Sequence, residues 1–162
     1  MAKKKDEKTN VMRLLEQKQI PYTAHEYPAD GPLDGVSVAG YLGQDVEQVF
    51  KTLVTRGASG AYYVFDIPVA ENLDLKKAAK AVGEKSIAMI QQKELLPLTG
   101  YIHGGCSPLG MKKQFPTVFH ETVELFDTIC VSAGKIGFQV EVSPRALMEL
   151  TGASAADVVV DG

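Results

Sequence analysis

Two runs of β-branched and aromatic residues on either side of a short turn constrain this chain more than any other feature. Val49-Phe-Lys-Thr-Leu-Val-Thr55 and Ala61-Tyr-Tyr-Val-Phe-Asp-Ile67 are separated only by Arg56 to Gly60, a stretch holding two glycines. Branched and aromatic side chains fit the pleated surface of a strand better than the crowded surface of a helix. A connection this short, with glycines to take the turn, brings the second run back antiparallel to the first. The segment 49–67 is therefore expected to be a hairpin at the centre of a sheet, and the other elements must pack around it.

Those elements read as short helices and short strands. Thr9 caps a first helix with Val11, Leu14 and Leu15 on one face, ending before Pro21 because a proline disfavours helical geometry in the residue before it. Tyr22 to Tyr27 reads as a strand with Tyr22, Ala24 and Glu26 on one face and Thr23, His25 and Tyr27 on the other. Pro28 to Gly35 is loop chemistry, and Ser37 starts a short helix running to Gly43. Asp74 caps Leu75 to Val82, which Gly83 closes in the left-handed conformation. A short apolar run at Ile87 to Ile90 precedes a helix anchored by Leu95 and Leu96, ending before Pro97 and Gly100. Tyr101 to Lys113 is a shaped loop. Strands are expected at Thr117–His120, Thr128–Ser132, Phe138–Val142 and Asp157–Val160. Between the last two, Ser143 and Pro144 open a helix that stops at Gly152. Without a regular βαβ rhythm this is an α+β (mixed α/β) domain: a curved, mostly antiparallel, barrel-like sheet surrounded by short helices.

Length and charge limit what such a domain does. With 162 residues, 45% of them hydrophobic, the chain suits one core, read as a charged, flexible arm at 1–8 and a single domain at 9–162. The amino end has no apolar stretch behind its charges and does not read as a signal peptide, and nothing approaches a membrane span. Cys106 and Cys130 are far apart, with no C-x-x-C and no Cys/His cluster, so neither a metal site nor a cofactor site is expected and a reducing cytoplasm is the default. A net charge of −3 argues against indiscriminate coating of nucleic acid. Lysines at 76, 77, 80, 112 and 113 are either solvated or a local basic patch for an acidic partner.

Lys51 is out of place in an apolar strand, on the face of Val49 and Leu53, where it either guards a sheet edge or meets an anion. Thr52 points to the other face. Gly104-Gly105-Cys106-Ser107-Pro108 lets the backbone approach a ligand and present consecutive amides to a carbonyl or developing oxyanion, although such pairs also form ordinary turns. Ser132-Ala133-Gly134-Lys135, at a strand end, raises the same question. Cys106 near His103 suggests a thiol nucleophile, but no third partner is identifiable. Cys130, between Ile129 and Val131, reads as core, and Glu121, Glu124 and Asp127 as surface.

Taken together, Phe50-Lys51-Thr52-Leu53, Asn72 to Lys80, Gly104 to Gly110 with Lys112-Lys113, and Val131 to Lys135 are more specific than any one of them. Their order and spacing resemble the YbaK/EbsC family of aminoacyl-tRNA deacylases, related to the editing domain of bacterial prolyl-tRNA synthetases. The likeness runs from the first helix to Val158–Val160. It implies a free-standing editing protein that removes cysteine misattached to tRNA(Pro), alone or in a transient complex with prolyl-tRNA synthetase, in the cytoplasm. Small steric differences give a synthetase pocket only about 1–3 kcal/mol of discrimination, which is why a second site is needed. By the family pattern Lys51 holds the terminal adenosine end of the tRNA, Gly104 orients or polarises the ester carbonyl, and Tyr27, Thr52, Gly105, Cys106 and Ser132 line the pocket. The substrate's own thiol then attacks its ester, so no protein nucleophile is required. Cys106 stands where many relatives carry an aliphatic residue or threonine, and Lys135-Ile136-Gly137 replaces a common Lys-Arg-Gly, so these positions bear on specificity. Two other readings stay open: an Ala-tRNA(Pro) deacylase using water, and a non-catalytic tRNA- or synthetase-binding module.

Overall fold

A computed structural model describes residues 8–31 and 34–161. All but Lys8 of the expected charged arm lies outside the described residues, and Lys8 pairs with Glu16 at 3.0 Å. In chain order the elements are α1 (Asn10–Gln17), β1 (Tyr22–Glu26), α2 (Gly35–Leu42), β2 (Phe50–Gly57), β3 (Tyr62–Pro68) and α3 (Leu75–Val82). Then come β4 (Ile87–Met89), α4 (Gln92–Thr99), β5 (Thr117–His120), a 3-10 turn (Glu121–Leu125), β6 (Ile129–Ser132), β7 (Phe138–Val142), α5 (Pro144–Thr151) and β8 (Ser154–Ala156). The strands form a three-stranded sheet ordered β1-β7-β6 and a five-stranded sheet ordered β4-β2-β3-β5-β8. Pairing is mostly antiparallel, with β5 parallel to both β3 and β8. The two sheets meet through one isolated bridge, Val49 to Cys130.

The hairpin forms as its composition requires, with Thr52 opposite Asp66 and Leu53 opposite Phe65. Its near-continuous apolar character follows from burial on both faces. Phe50, Val54 and Val64 pack in the main core with Val11 and Leu15 of α1, Val140 of β7 and Leu147 of α5. Phe65 and Ile67 pack on the other side against Ala78 and Ala79 of α3 and against Val158. Helix ends follow local chemistry: the Thr9, Asp74 and Ser143 side chains accept from the first turns of α1, α3 and α5, and Gly83 and Gly152 close α3 and α5 in the left-handed region.

Three expectations need correction. Helix α2 begins two residues before Ser37, because Asp34 is its cap and accepts from the Ser37 amide at 2.8 Å. Helix α4 does not stop before Pro97 but runs through it to Thr99; Lys93, whose carbonyl the proline cannot satisfy, is solvent-exposed. The last strand is Ser154–Ala156 and not Asp157–Val160. The outer edge of β5 is taken by 154–156, while the following residues serve other partners: Val158 donates to His120 Nδ1 at 3.3 Å and accepts from Asp74 at 2.8 Å.

Candidate active site

Strand β4 is only three residues long and pairs with β2 at Thr55–Gly57 alone. Among the described residues, no strand covers the outer edge of β2 from Phe50 to Leu53. A cavity of about 370 Å³ opens there, lined by five consecutive residues, Val49 to Leu53, which accounts for side chains from both faces of one strand sharing a single pocket. The first turn of α2 (Asp34, Gly35, Val36, Val38), Leu95 of α4, the 103–106 loop and the β6–β7 pair (Ser132, Phe138, Gln139) form the other walls. Gly35 permits this closeness, since a Cβ there would sit 2.3 Å from Val69 Cγ1.

Lys51 is half-buried, and no carboxylate among the described residues lies within ion-pair distance of it. Burial pushes its ammonium below the usual lysine range, and the charge of Glu71 only partly restores it. A cation held this way favours an anion in the cavity. The loop carrying Gly104 is pinned by Tyr101, whose hydroxyl donates to the Leu109 carbonyl, and by the Gly105 amide, which donates to the Ile102 carbonyl at 2.9 Å. The Gly105 N–H is therefore spent inside the turn, and a run of consecutive free amides does not exist. Those of Gly104 and Cys106, on either side, make no hydrogen bond among the described residues.

The fold brings six of the seven residues singled out in the sequence, Tyr27, Lys51, Thr52, Gly104, Cys106 and Ser132, to this one cavity. Gly105 sits behind them, buried, where a Cβ would come within 3.2 Å of the Ile136 amide nitrogen. Tyr27 is held by its amide donating to the Gly137 carbonyl at 3.0 Å, and the Ser132 hydroxyl accepts from the Gly134 amide at 3.1 Å. His103 lines the cavity with Cys106, but burial, reinforced by the charge of Asp66, pushes the Cys106 thiol up to about 12. At neutral pH that sulfur is protonated, so it is not an activated nucleophile.

Sequence reasoning passed over Asp66. It is fully buried in β3, its Oδ1 accepts from Thr52 Oγ1 at 2.5 Å, and its Oδ2 has no partner among the described residues. Burial pushes this carboxyl up to about 7 despite the opposing Thr52 hydrogen bond. The signal that marks Lys51, a charge inside an apolar strand, was equally present here. Sequence also gave no warning that His25, Cys130 and Glu141 would offer ligand atoms within 4.8 Å of one another. These groups are already engaged: Glu141 accepts from Thr128 at 2.6 Å and contacts His25 at 2.9 Å, and burial pushes the Cys130 thiol up to about 12.

Of the lysines considered for an acidic partner, Lys77 is committed within the fold, to Asp157 at 2.9 Å and Asp161 at 2.7 Å. Lys76, Lys80, Lys112 and Lys113 are exposed. No helix among the described residues is long and apolar enough to cross a membrane.

Known proteins resemble this chain in sequence and in fold. Over 160 residues, 98% of both chains, the sequence is 48% identical to the Enterococcus faecalis protein named "Putative Cys-tRNA(Pro)/Cys-tRNA(Cys) deacylase EbsC". A Bacillus subtilis protein of unassigned function, YwhH, is 24% identical over 110 residues, 68% of this chain and 69% of its own. A crystal structure described as "a putative trans-editing enzyme for prolyl tRNA synthetase" superposes with a TM-score of 0.81 at 27% identity, covering 93% of this chain and 95% of that one. The model of the aminoacyl-tRNA editing domain matches residues 35–150, which span every wall of the cavity except Tyr27 and Asp34. With that match and a near-full-length relative at 48% identity, the chain belongs to the aminoacyl-tRNA editing domain family.

Proposed function

We propose that this protein is a trans-editing deacylase that removes cysteine from mischarged tRNA, tRNA(Pro) foremost, in the cytoplasm. The observation that carries the reading is the half-buried Lys51 ammonium, unpaired by any carboxylate among the described residues, in a cavity also lined by Gly104 and Cys106, whose amides make no hydrogen bond among those residues. A cation suits the phosphate or ribose end of the terminal adenosine. Two amide donors suit the ester carbonyl and the negative charge that develops on it. The name of the 48%-identical relative supports cysteine as the aminoacyl group.

No nucleophile from the protein is needed. The cysteine thiol of the substrate loses its proton and its sulfur attacks the ester carbonyl, closing a cyclic thiolactone. The bond to the ribose oxygen breaks, and that oxygen takes up a proton as the tRNA leaves. The protein contributes orientation and charge stabilisation, which together supply most of the acceleration of an intramolecular reaction. The protonated Cys106 agrees with this division of labour.

Single-turnover deacylation of Cys-tRNA(Pro), Ser-tRNA(Pro) and Ala-tRNA(Pro), with native protein and Lys51→Ala, tests the reading. Rapid release of cysteine alone, lost in the variant by about a hundredfold or more, is expected. Preferential release of alanine would reassign the protein to water attack, and tight binding without release would make it a binding module. A transient complex with prolyl-tRNA synthetase is the finer expectation, checked by crosslinking the two proteins in the presence of charged tRNA.

A further inference from the structure

A carboxyl group that is wholly removed from water, with one oxygen left without a partner, is retained at a cost that its own packing does not explain. Asp66 is such a group, and it lies directly behind the candidate site. Thr52 and Asp66 are opposite each other in the β2–β3 register, so their side chains share one face of the sheet. Thr52 lines the cavity and Asp66 does not. Among the described residues, the only hydrogen bond to the Asp66 carboxyl comes from the Thr52 hydroxyl, at 2.5 Å, and Oδ2 is left unsatisfied.

A threonine hydroxyl has one proton to give and two lone pairs to offer. With its proton committed to Asp66 Oδ1, which accepts whether or not the unpartnered Oδ2 carries a proton, the Thr52 oxygen acts toward the cavity as an acceptor, and donating that hydrogen bond makes it more electron-rich. We infer that Asp66 is a positioning residue acting through Thr52, and that the Thr52–Asp66 pair receives the α-ammonium group of the aminoacyl moiety. The assignment rests on the deacylase reading and goes further by naming the substrate group that one wall of the pocket takes. The charge pattern of the cavity is then complementary to an aminoacyl ester: the cation Lys51 meets the tRNA end, the Gly104 and Cys106 amides meet the carbonyl, and the Thr52 oxygen meets the amine. With the amine and the carbonyl both held, the side chain between them has one orientation left in which to approach its own ester.

The test compares wild type, Asp66→Val, Asp66→Asn, Thr52→Val and the Thr52→Val/Asp66→Val double variant in single-turnover cleavage. Two substrates are used: Cys-tRNA(Pro), and the same tRNA acylated with mercaptopropionate, which keeps the thiol and lacks the amine. On Cys-tRNA(Pro), Asp66→Val is expected to lower the rate by about tenfold or more, the size of one hydrogen bond to a charged group. Asp66→Asn, whose carbonyl still accepts from Thr52, should recover most of that loss. In the Thr52→Val background, and on the amine-free substrate, Asp66→Val should change the rate by less than about twofold. Equal losses in both threonine and valine backgrounds, or on both substrates, would overturn the proposal while leaving the deacylase reading intact. Failure of the wild type to release cysteine would overturn both. Thermal unfolding of each variant separates these outcomes from misfolding, and Asp66→Val, which removes an unsatisfied buried acid, should melt no lower than wild type.

Discussion

The buried acid also makes a prediction about stability that needs no substrate. In the unfolded chain an aspartate releases its proton near the ordinary value of 3.8, whereas in the folded protein burial holds the Asp66 proton up to about 7. Between those values the folded state binds more protons than the unfolded state, so raising the pH removes stability, the reverse of the salt-bridged carboxylate case. At about 1.4 kcal/mol per unit, the wild type should lose roughly 2–3 kcal/mol between about pH 5 and about pH 8 through this group alone. Asp66→Asn isolates that contribution. The amide keeps the shape and the Thr52 bond, and the unpartnered nitrogen that replaces Oδ2 costs about 1–3 kcal/mol at every pH, so that cost cancels when the two pH values are compared. Lys51, on the opposite face of β2, is common to both proteins and drops out as well, and the Cys106 thiol, raised to about 12 by burial first and Asp66 second, keeps its proton across this pH range in either protein. Urea unfolding followed by far-UV circular dichroism at several pH values should therefore show Asn gaining on Asp by roughly 2–3 kcal/mol as the pH rises. A difference that stays flat across the range, or that moves toward Asp with rising pH, would refute the assignment of a carboxyl kept neutral by burial.

Other consequences follow from single contacts. Cys106→Ala should keep turnover of Cys-tRNA(Pro) within about tenfold of wild type, because a thiol pushed up to about 12 does not serve as nucleophile; a thousandfold loss would reinstate it. Gly104→Ala and Gly105→Ala should both destabilise, for different reasons. Gly104 has φ +90°, which costs an alanine about 1–3 kcal/mol although its Cβ meets only ordinary contacts at 3.5 Å, so the loss should appear mainly in the geometry of the loop and in kcat. At Gly105 the backbone is permissive but the Ile136 amide nitrogen blocks a Cβ at 3.2 Å, so the loss should appear in thermal unfolding and in altered amide exchange at 135–136. Lys77→Ala should leave the salt dependence of tRNA binding unchanged, because Asp157 and Asp161 already hold its ammonium, whereas truncating a lysine that contacts phosphate reduces the slope by about one.

What the sequence made legible were features settled within a few residues. The Thr9, Asp74 and Ser143 caps and the closing glycines at 83 and 152 act inside one turn of chain, and the hairpin is specified by its own two runs. The last strand was misplaced because three valines at 158–160 have the higher strand propensity, while pairing depends on which segment reaches the outer edge of β5. That edge is reached by the smaller Ser154-Ala-Ala directly after α5, and propensity carries no information about it. The site divides the same way. Lys51 and the Gly104 loop were visible because they are the wrong residue types for their local surroundings. The contributions of Asp34, Val36, Phe138 and Gln139 were not, since nothing local distinguishes them and only the meeting of α2 with the β6–β7 pair gives them a cavity to face. Asp66 was legible by the same rule as Lys51 and was missed.

The two readings of Lys51, edge guard and anion site, describe one physical situation. A strand edge without a partner is a template for pairing with another chain, and a lysine there is a common defence. Here the edge is open because β4 ends after three residues, and α4 and the glycine loop then turn back over the gap without adding hydrogen bonds to Phe50–Leu53. Covering the edge with a roof in place of a strand leaves a cavity between them. It half-buries the lysine that protects the edge, and burial lowers its affinity for its own proton and raises the value of an anion beside it. A β4 extended to pair with Leu53 and Thr52 would remove the edge, the cavity and the reason for the lysine at once, so the shortness of that strand is the structural origin of the site.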